Sequence, residues 1–578
     1  MKKRIVSILL CVLMLAGTLM MSGCSVASDT TGTGDGETSG TASSLDRSSM
    51  TLSLWIPTSD DTTEEAILAV EQAINNVTQA EYDTAIKLYA IPDSQYDKVI
   101  KDRITTLETR IEEAEQNALQ QRKDELEAAQ KGESYVAETT TYENPNMDGE
   151  YSLVVPHASG YTPIERNQLD IFLIRGESEY DYYAENYYLE AIDEELASSS
   201  KVLKSFIYPD FFTAAQNNGS VYGVPNNHAV GEYTYFLVNK RLANAEYLNI
   251  DKLTSLSECQ QFIEDVAKYH KDVTPIYGNY SPSYYRFWSG KDQSTFSVLA
   301  SRITAETPIE DVSLLNIFSY NNYTSNLYLY KSFQEKGYVS LKEPAEFGVG
   351  YITCSADEIQ KYADDYNIIT YLNPEGTRAD YLQSVFAVST FTKSTARSME
   401  IITMLNTDTE LRTILQYGAE GTHWKYDEEN SDIIVKLSDE YKMNIADTGN
   451  EFITYPDYET SMDQWAHSKQ QNLDSYYPIT GNFTGYQNET NAQLLAEFDK
   501  FNASIKSRID AMTAEQFKSN INSLKAEVDN NIYFQKLTYM PSDNDTKLGR
   551  TEEKGWFAAG SISNLWNEYY SQVMGISE

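Results

Sequence analysis

The stretch from Leu52 to Pro92 constrains the fold more than any other part of the chain. Leu52, Leu54 and Ile56 alternate with Ser53 and Trp55, the period of a strand. Thr62 and Glu65 are spaced as a capping box. Ile67, Val70, Ile74 and Val77 then recur at helical spacing and give one apolar face. Ile86, Leu88 and Ala90 alternate again, and Pro92 ends the run. Strand, helix and strand over this length form a βαβ unit, whose two strands lie parallel in one sheet. The expected fold class is therefore α/β.

Other segments extend that sheet. Leu169 to Ile174 is apolar apart from Asp170, as suits a strand buried on both faces. Arg175-Gly176-Glu177 follows at its carboxyl end, where ligands of open α/β sheets bind. Tyr233 to Val238 is β-branched and aromatic, Leu253 to His270 reads as a helix, and Tyr284 to Trp288 is an aromatic loop. Ile368–Leu372 and Val385–Val388 read as short strands, and Ala396, Met399, Ile402 and Leu405 mark a helix. The remainder is mostly helical, with a last helix around Trp566. Lys101 to Gly132 is a long, charged helical segment with one narrow stripe, Ile104, Leu107, Ile111, Ala114 and Ala118. It suits a coiled-coil-like arm, a hairpin with the segment after it, or a solvated helix lying on the lobe surface, and the solvated helix is preferred.

The N-terminus is of a different kind. Lys2, Lys3 and Arg4 precede an apolar run from Ile5 to Met21, and Met21-Ser22-Gly23-Cys24 closes it. That is the order of a secretory signal. The small residues before the cysteine resemble a bacterial lipobox, which implies lipidation of Cys24 and cleavage before it. An uncleaved membrane anchor is the alternative, for which the run is short. Ser25 to Ser49 is too poor in apolar residues to offset its ordering entropy and reads as a flexible tether. The formal net charge is −41, and losing Lys2, Lys3 and Arg4 deepens it by three. Such a surface excludes nucleic acid as a partner and keeps the body off anionic lipid. Of four cysteines, Cys11 leaves with the signal and Cys24 carries lipid. Cys259 and Cys354 are expected as buried thiols, with a single bridge as the alternative.

The order of segments resembles the extracellular solute-binding proteins of family 1, the maltodextrin-binding-like group. The likeness runs from Thr51 to about Trp424. It rests on Leu52-Ser53-Leu54-Trp55-Ile56-Pro57, Leu169-Asp170-Ile171-Phe172-Leu173-Ile174, Tyr222-Gly223-Val224-Pro225-Asn226-Asn227-His228 and Val238-Asn239-Lys240. Asn406-Thr407-Asp408, Leu411-Arg412 and Gln416 to Trp424, with Tyr477-Pro478 and Gly481-Asn482-Phe483, resemble the LipO-like lipoprotein subgroup. The resemblance implies a periplasmic-binding-protein-like type II fold, two α/β lobes with hinge crossovers. To that are added the charged helical insertion and a mostly helical C-terminal region. It further implies a carbohydrate held between the lobes, ABC permease subunits as partners, and a monomer lipid-anchored on the extracellular face of the cell membrane. The expected divisions are 1–23 signal, 24–49 lipidated cysteine and linker, and 50–232 lobe 1 with the insertion at about 101–166. They continue with 233–367 as lobe 2, 368–392 returning to lobe 1, and 393–578 completing lobe 2 and packing at the hinge. The segment Ile104 to Arg166 is longer than the family's usual bridge, which leaves open whether it covers the cleft.

A sugar offers hydroxyls and flat C–H faces, so its site mixes aromatic rings with oriented polar groups. Trp55, Arg175, Glu177, Asn226, Asn227, Glu232 and Trp288 are candidates by position, and Trp424, Asn482 and Phe483 by resemblance. Each has a plainer alternative. Trp55, Trp288 and Trp424 could be core, Arg175 and Glu177 could pair with each other, and Asn226, Asn227 and Glu232 could be turn or solvated residues. On the cleft reading, Trp55→Ala weakens ligand binding at least tenfold, about 1.4 kcal/mol, with the fold intact. The five histidines show no zinc spacing. Asp543 and Asp545 begin like a calcium loop, but Lys547 stands where a ligand belongs. No nucleophile elbow or phosphate loop is present, so neither catalysis nor a cofactor is expected. A lipid-anchored polysaccharide-binding protein or glycoside hydrolase is the alternative function.

Overall fold

A computed structural model describes residues 49–131, 167–245, 248–250, 253, 255–280, 286–287, 296–301, 314–456, 460–475, 477 and 489–538. The expected signal, lipidated Cys24, the tether, Asp543, Asp545 and the Trp566 helix lie outside these residues.

The βαβ unit forms as its periodicity requires. Strand β1 (Met50–Thr58) pairs in parallel with β2 (Thr84–Pro92) along its whole length, and helix α1 (Glu64–Tyr82) connects them. The helix cap is Thr63, whose hydroxyl accepts from the Ala66 N–H; Thr62, expected to cap, bonds the Thr58 hydroxyl instead. β3 (Ile171–Ile174) lies in parallel on the other side of β1. The sheet is completed by two strands from farther along the chain, β4 (Gly223–Pro225) and β10 (Val385–Val388), in the order β2-β1-β3-β10-β4. β10 is antiparallel to both its neighbours, so β4 runs the same way as β3. Asp170 is wholly buried beside β3. It accepts from the N–H and hydroxyl of Ser53 (2.8 and 2.9 Å), from Gln168, from the Thr392 hydroxyl and from the Lys393 N–H. A carboxylate with every lone pair engaged is a stable core group.

The second sheet has the order β7-β6-β8-β5-β9, from β5 (Tyr233–Asn239), β6 (Thr274–Tyr277), β7 (Val339–Ser340), β8 (Phe347–Cys354) and β9 (Tyr366–Leu372). Alternation along β5 splits its side chains between two cores. Phe236 and Val238 join one, Tyr233, Tyr235 and Leu237 the other. The strand at 366–372 pairs with β5, so the return to lobe 1 begins after Leu372 rather than at 368. Cys259 and Cys354 are both buried free thiols.

Two assignments change. Helix α2 spans Asp93–Lys131 and begins well before Lys101. Its first turns bury one face, from Tyr96 through Leu107, but Leu119 and Leu126 are exposed, and the helix runs on about 36 Å beyond Leu107. By Arg103, which donates to the Gln168 carbonyl (2.7 Å), α2 has reached the amino-terminal end of β3. The described arm therefore leaves lobe 1 at the end away from the strand carboxyl termini. In the C-terminal region, helices α3 (Thr395–Thr407) and α4 (Thr409–Tyr417) join the lobe 1 core through Ile401, Ile402, Leu405, Leu411 and Leu415, not lobe 2. The later helices, α6 (Glu489–Ala511) and α7 (Ala514–Asp529), pack on lobe 2. There Lys331 donates to the Met512 carbonyl and Tyr328 to Glu515.

Candidate functional site

Connectivity alone brings one end of each sheet to the crossovers. The first crossover leaves the carboxyl end of β4 and enters the start of β5. The second leaves the carboxyl end of β9 and enters β10 opposite Ile174. The carboxyl ends of β1–β4 in lobe 1 and of β8 and β9 in lobe 2 therefore gather at the crossovers, the position at which α/β sheets bind ligands.

The crossovers are tied tightly. Gly231 adopts a positive φ of 67°, and a Cβ there would lie 2.7 Å from the Glu375 carbonyl oxygen, so the two segments touch backbone to backbone. His228, buried, sits with Nδ1 2.8 Å from the Asn226 carbonyl and Nε2 3.1 Å from that of Asp380, one on each crossover. Helix α5 (Met462–Asp474) braces the first crossover and reaches lobe 2. Asn472 donates to the His228 carbonyl (2.6 Å), Gln471 donates to Gly231 and accepts from the Ala356 N–H, and Gln464 donates to Asp357 just beyond β8.

At the strand ends of lobe 1 the polar groups converge on Arg175. Its guanidinium donates to Asp93 and Asp97 (3.1 Å for the latter) on the first turn of α2 and lies over the Tyr96 ring, 5.5 Å from the centroid. Tyr96 is fixed because its hydroxyl sits between the Trp55 and Leu173 carbonyls, pinning α2 to β1 and β3. Burial opposes the Arg175 charge, but the bonds from Asp97 and Asp93 outweigh it and raise its pKa. Asp447 arrives from far along the chain. It accepts from the Ser384 hydroxyl (2.9 Å), and burial, its main influence, lifts its carboxyl above the ordinary range against the pull of Ser384 and Arg175. Asn226 links the same groups by donating to the Ala446 carbonyl and the Ser384 hydroxyl. On the hinge side, Phe452 and Trp465 are half-buried with ring centroids 5.6 Å apart.

The candidates from sequence divide accordingly. Arg175 and Asn226 stand together at the strand ends. Asn227 and the exposed Glu232 are on the first crossover, where Asn227 donates to Asn450 and accepts from Asn472. Arg175 and Glu177 do not pair with each other. Glu177 instead accepts from Arg378 (3.1 Å), whose main carboxylate partner is Asp181. Trp55 is 1% exposed, stacked on Tyr89 at 3.9 Å, because β1 is a central strand with helices on both faces. Trp424 is also buried, and its indole N–H donates to Gly418 across a tight turn. Trp288, Asn482 and Phe483 lie outside the described residues. Asp93, Asp97, Ser384, Asp447, Phe452 and Trp465 were not singled out. Asp93 alone had a local signal, following the proline that ends β2. Among the described residues no three histidine, cysteine or acidic side chains are placed to hold a metal ion, and no helix is long and apolar enough to cross a membrane.

No protein-family model matches the chain. Over 339 residues it is 23% identical to a Streptococcus pneumoniae serotype 4 protein described as a carbohydrate ABC transporter substrate-binding protein. The match takes in 53% of this chain and 66% of the relative, just under two thirds of its length. Among solved structures the chain is similar to the N-glycan transport solute binding protein (NgtS) from Streptococcus pneumoniae in complex with Man1GlcNAc. The identity is 15% and the TM-score 0.40, over 91% of this chain and 100% of that one. It is also similar to an extracellular solute-binding protein from Bifidobacterium longum subsp. infantis, at 10% identity and a TM-score of 0.42, over 92% and 99% of the two chains.

Proposed function

We propose that this chain is an extracellular solute-binding protein of an ABC importer, which holds a carbohydrate between its lobes and delivers it unchanged to the permease subunits. The observation that carries the reading is that both sheets turn their carboxyl ends to one hinge, with the partly exposed Arg175 cluster on one side. The likeness to a carbohydrate substrate-binding protein supports it. Arg175, Asp93 and Asp97 would bond sugar hydroxyls, and Phe452 and Trp465 would offer flat apolar faces. Glu232 and Asn227 lie where the first crossover would flex.

A solute that touches both lobes binds the closed arrangement better and so shifts the population towards it. The permease then distinguishes loaded from empty protein. On this reading the protein acts as a monomer. Cys24 carries the lipid that holds it to the outer face of the membrane, and Ser25 to Ser49 is the tether.

Titration calorimetry against a panel of mono- and oligosaccharides, with product analysis of the same mixtures, tests the proposal. Stoichiometric binding with the sugar recovered intact is expected. Release of shortened sugar would instead establish a surface glycoside hydrolase, and binding of long polysaccharide alone a surface adhesin. Heat from no saccharide would sink the carbohydrate assignment. Labelling with radioactive palmitate, lost in Cys24→Ser, checks the anchor.

A further inference from the structure

We propose that the lobe 1 half of this site selects uncharged or amino-bearing saccharides and rejects those carrying a carboxylate, sulfate or phosphate; the inference rests on the carbohydrate reading above. Among the described residues, Asp60, Asp61, Asp93, Asp97 and the buried Asp447 stand at or beside the strand carboxyl ends, where Arg175 holds Asp93 and Asp97 and Lys442 holds Asp61. Both cations are already engaged. Arg175 spends one terminal nitrogen on Asp93 and the other on Asp97, with Tyr96 beneath its face. Lys442 donates to Asp61 at 2.6 Å. An anionic sugar that approaches Arg175 would have to share its guanidinium with two carboxylates already bonded to it, and would face both at close range.

Uncharged hydroxyls meet no such opposition. Each is donor and acceptor at once, so it can give a hydrogen bond to Asp93 or Asp97 while Arg175 keeps its pairs. An ammonium on an amino sugar gains from every carboxylate in the group. The backbone N–H of Ser94 donates to Asp60 (3.0 Å) and holds its pKa below the ordinary value, so this negative charge persists at neutral pH. The rejection is electrostatic, since it arises from charges fixed in place rather than from the shape of a wall.

The test uses one oligosaccharide that the protein binds, its terminal uronate and its terminal amino derivative, compared by calorimetry at low and at high salt. The uronate is expected to bind at least tenfold more weakly than the neutral sugar at low salt, and the amino derivative as well or better. Raising the salt is expected to narrow the uronate gap, because screening weakens partly exposed charges. Asp97→Asn, which frees one guanidinium edge, is expected to raise uronate affinity relative to neutral affinity by several-fold. A uronate that binds as tightly as the neutral sugar overturns the inference. So does a gap indifferent to both salt and Asp97→Asn, which would place the rejection in shape. Absence of binding by every saccharide overturns the carbohydrate reading and this inference with it.

Discussion

Replacing Trp55 with alanine is expected to damage the fold before it touches any ligand. The indole is 1% exposed on the central strand of lobe 1, parallel to the Tyr89 ring at 3.9 Å and 7°, with the Arg103 guanidinium 5.9 Å from its ring. Removing so large a buried side chain leaves a cavity that a sheet flanked by helices cannot collapse. Comparable truncations cost about 3–5 kcal/mol, and loss of the stacked pair places this one towards the upper end. For a lobe of this size that is on the order of a 10 °C fall in Tm. Trp55→Phe separates the contributions. The indole N–H has no hydrogen-bond partner among the described residues, so phenylalanine orphans no acceptor and keeps a ring against Tyr89. It is expected to cost less than half as much. Thermal and urea unfolding of the three proteins, followed by tryptophan-independent circular dichroism, give the ranking. Unchanged stability in Trp55→Ala, together with at least a tenfold loss of saccharide affinity, would refute this reasoning and restore Trp55 to the ligand.

Three further outcomes are expected. Leu107→Ala, at the last buried turn of α2, should cost about 2–5 kcal/mol, whereas Leu126→Ala on the exposed arm should stay within about 0.5 kcal/mol; equal losses in urea titrations would mean that the arm is packed. Burial pushes the His228 pKa below its ordinary 6.5 against the pull of two carbonyls, so the unfolded chain takes up the proton first and stability falls as pH drops below about 6.5. His228→Gln should flatten that fall in melts between about pH 7.5 and pH 5, and an identical slope would remove His228 as its source. Burial raises the Cys259 thiol to about 12 and the Cys354 thiol to about 11, so neither should react with a disulfide reagent until the protein unfolds; prompt labelling of the native protein would contradict their placement.

The sequence by itself determined the elements whose logic is local. Alternation at Leu52–Ile56 and Ile86–Ala90, helical spacing from Ile67 to Val77 and the apolar run ending at Ile174 each depend on neighbours a few residues apart, and each forms. They made a parallel sheet legible in advance, and with it the candidate ligand position beyond Ile174. Local pattern could not tell that β1 would be buried on both faces, which moves Trp55 into the core. Nor could it tell that Ile111 to Ala118 would emerge into solvent, since the same stripe continues from buried Leu107 without a break. The candidate site was the least legible part. Asp93 and Asp97 come from one helix turn, Arg175 from the end of β3, Ser384 from the second crossover and Asp447 from a loop much later in the chain. No spacing links them, because hydrophobic burial packs the lobes and brings the ends of their strands together. The charges at those ends become neighbours only once that packing is complete.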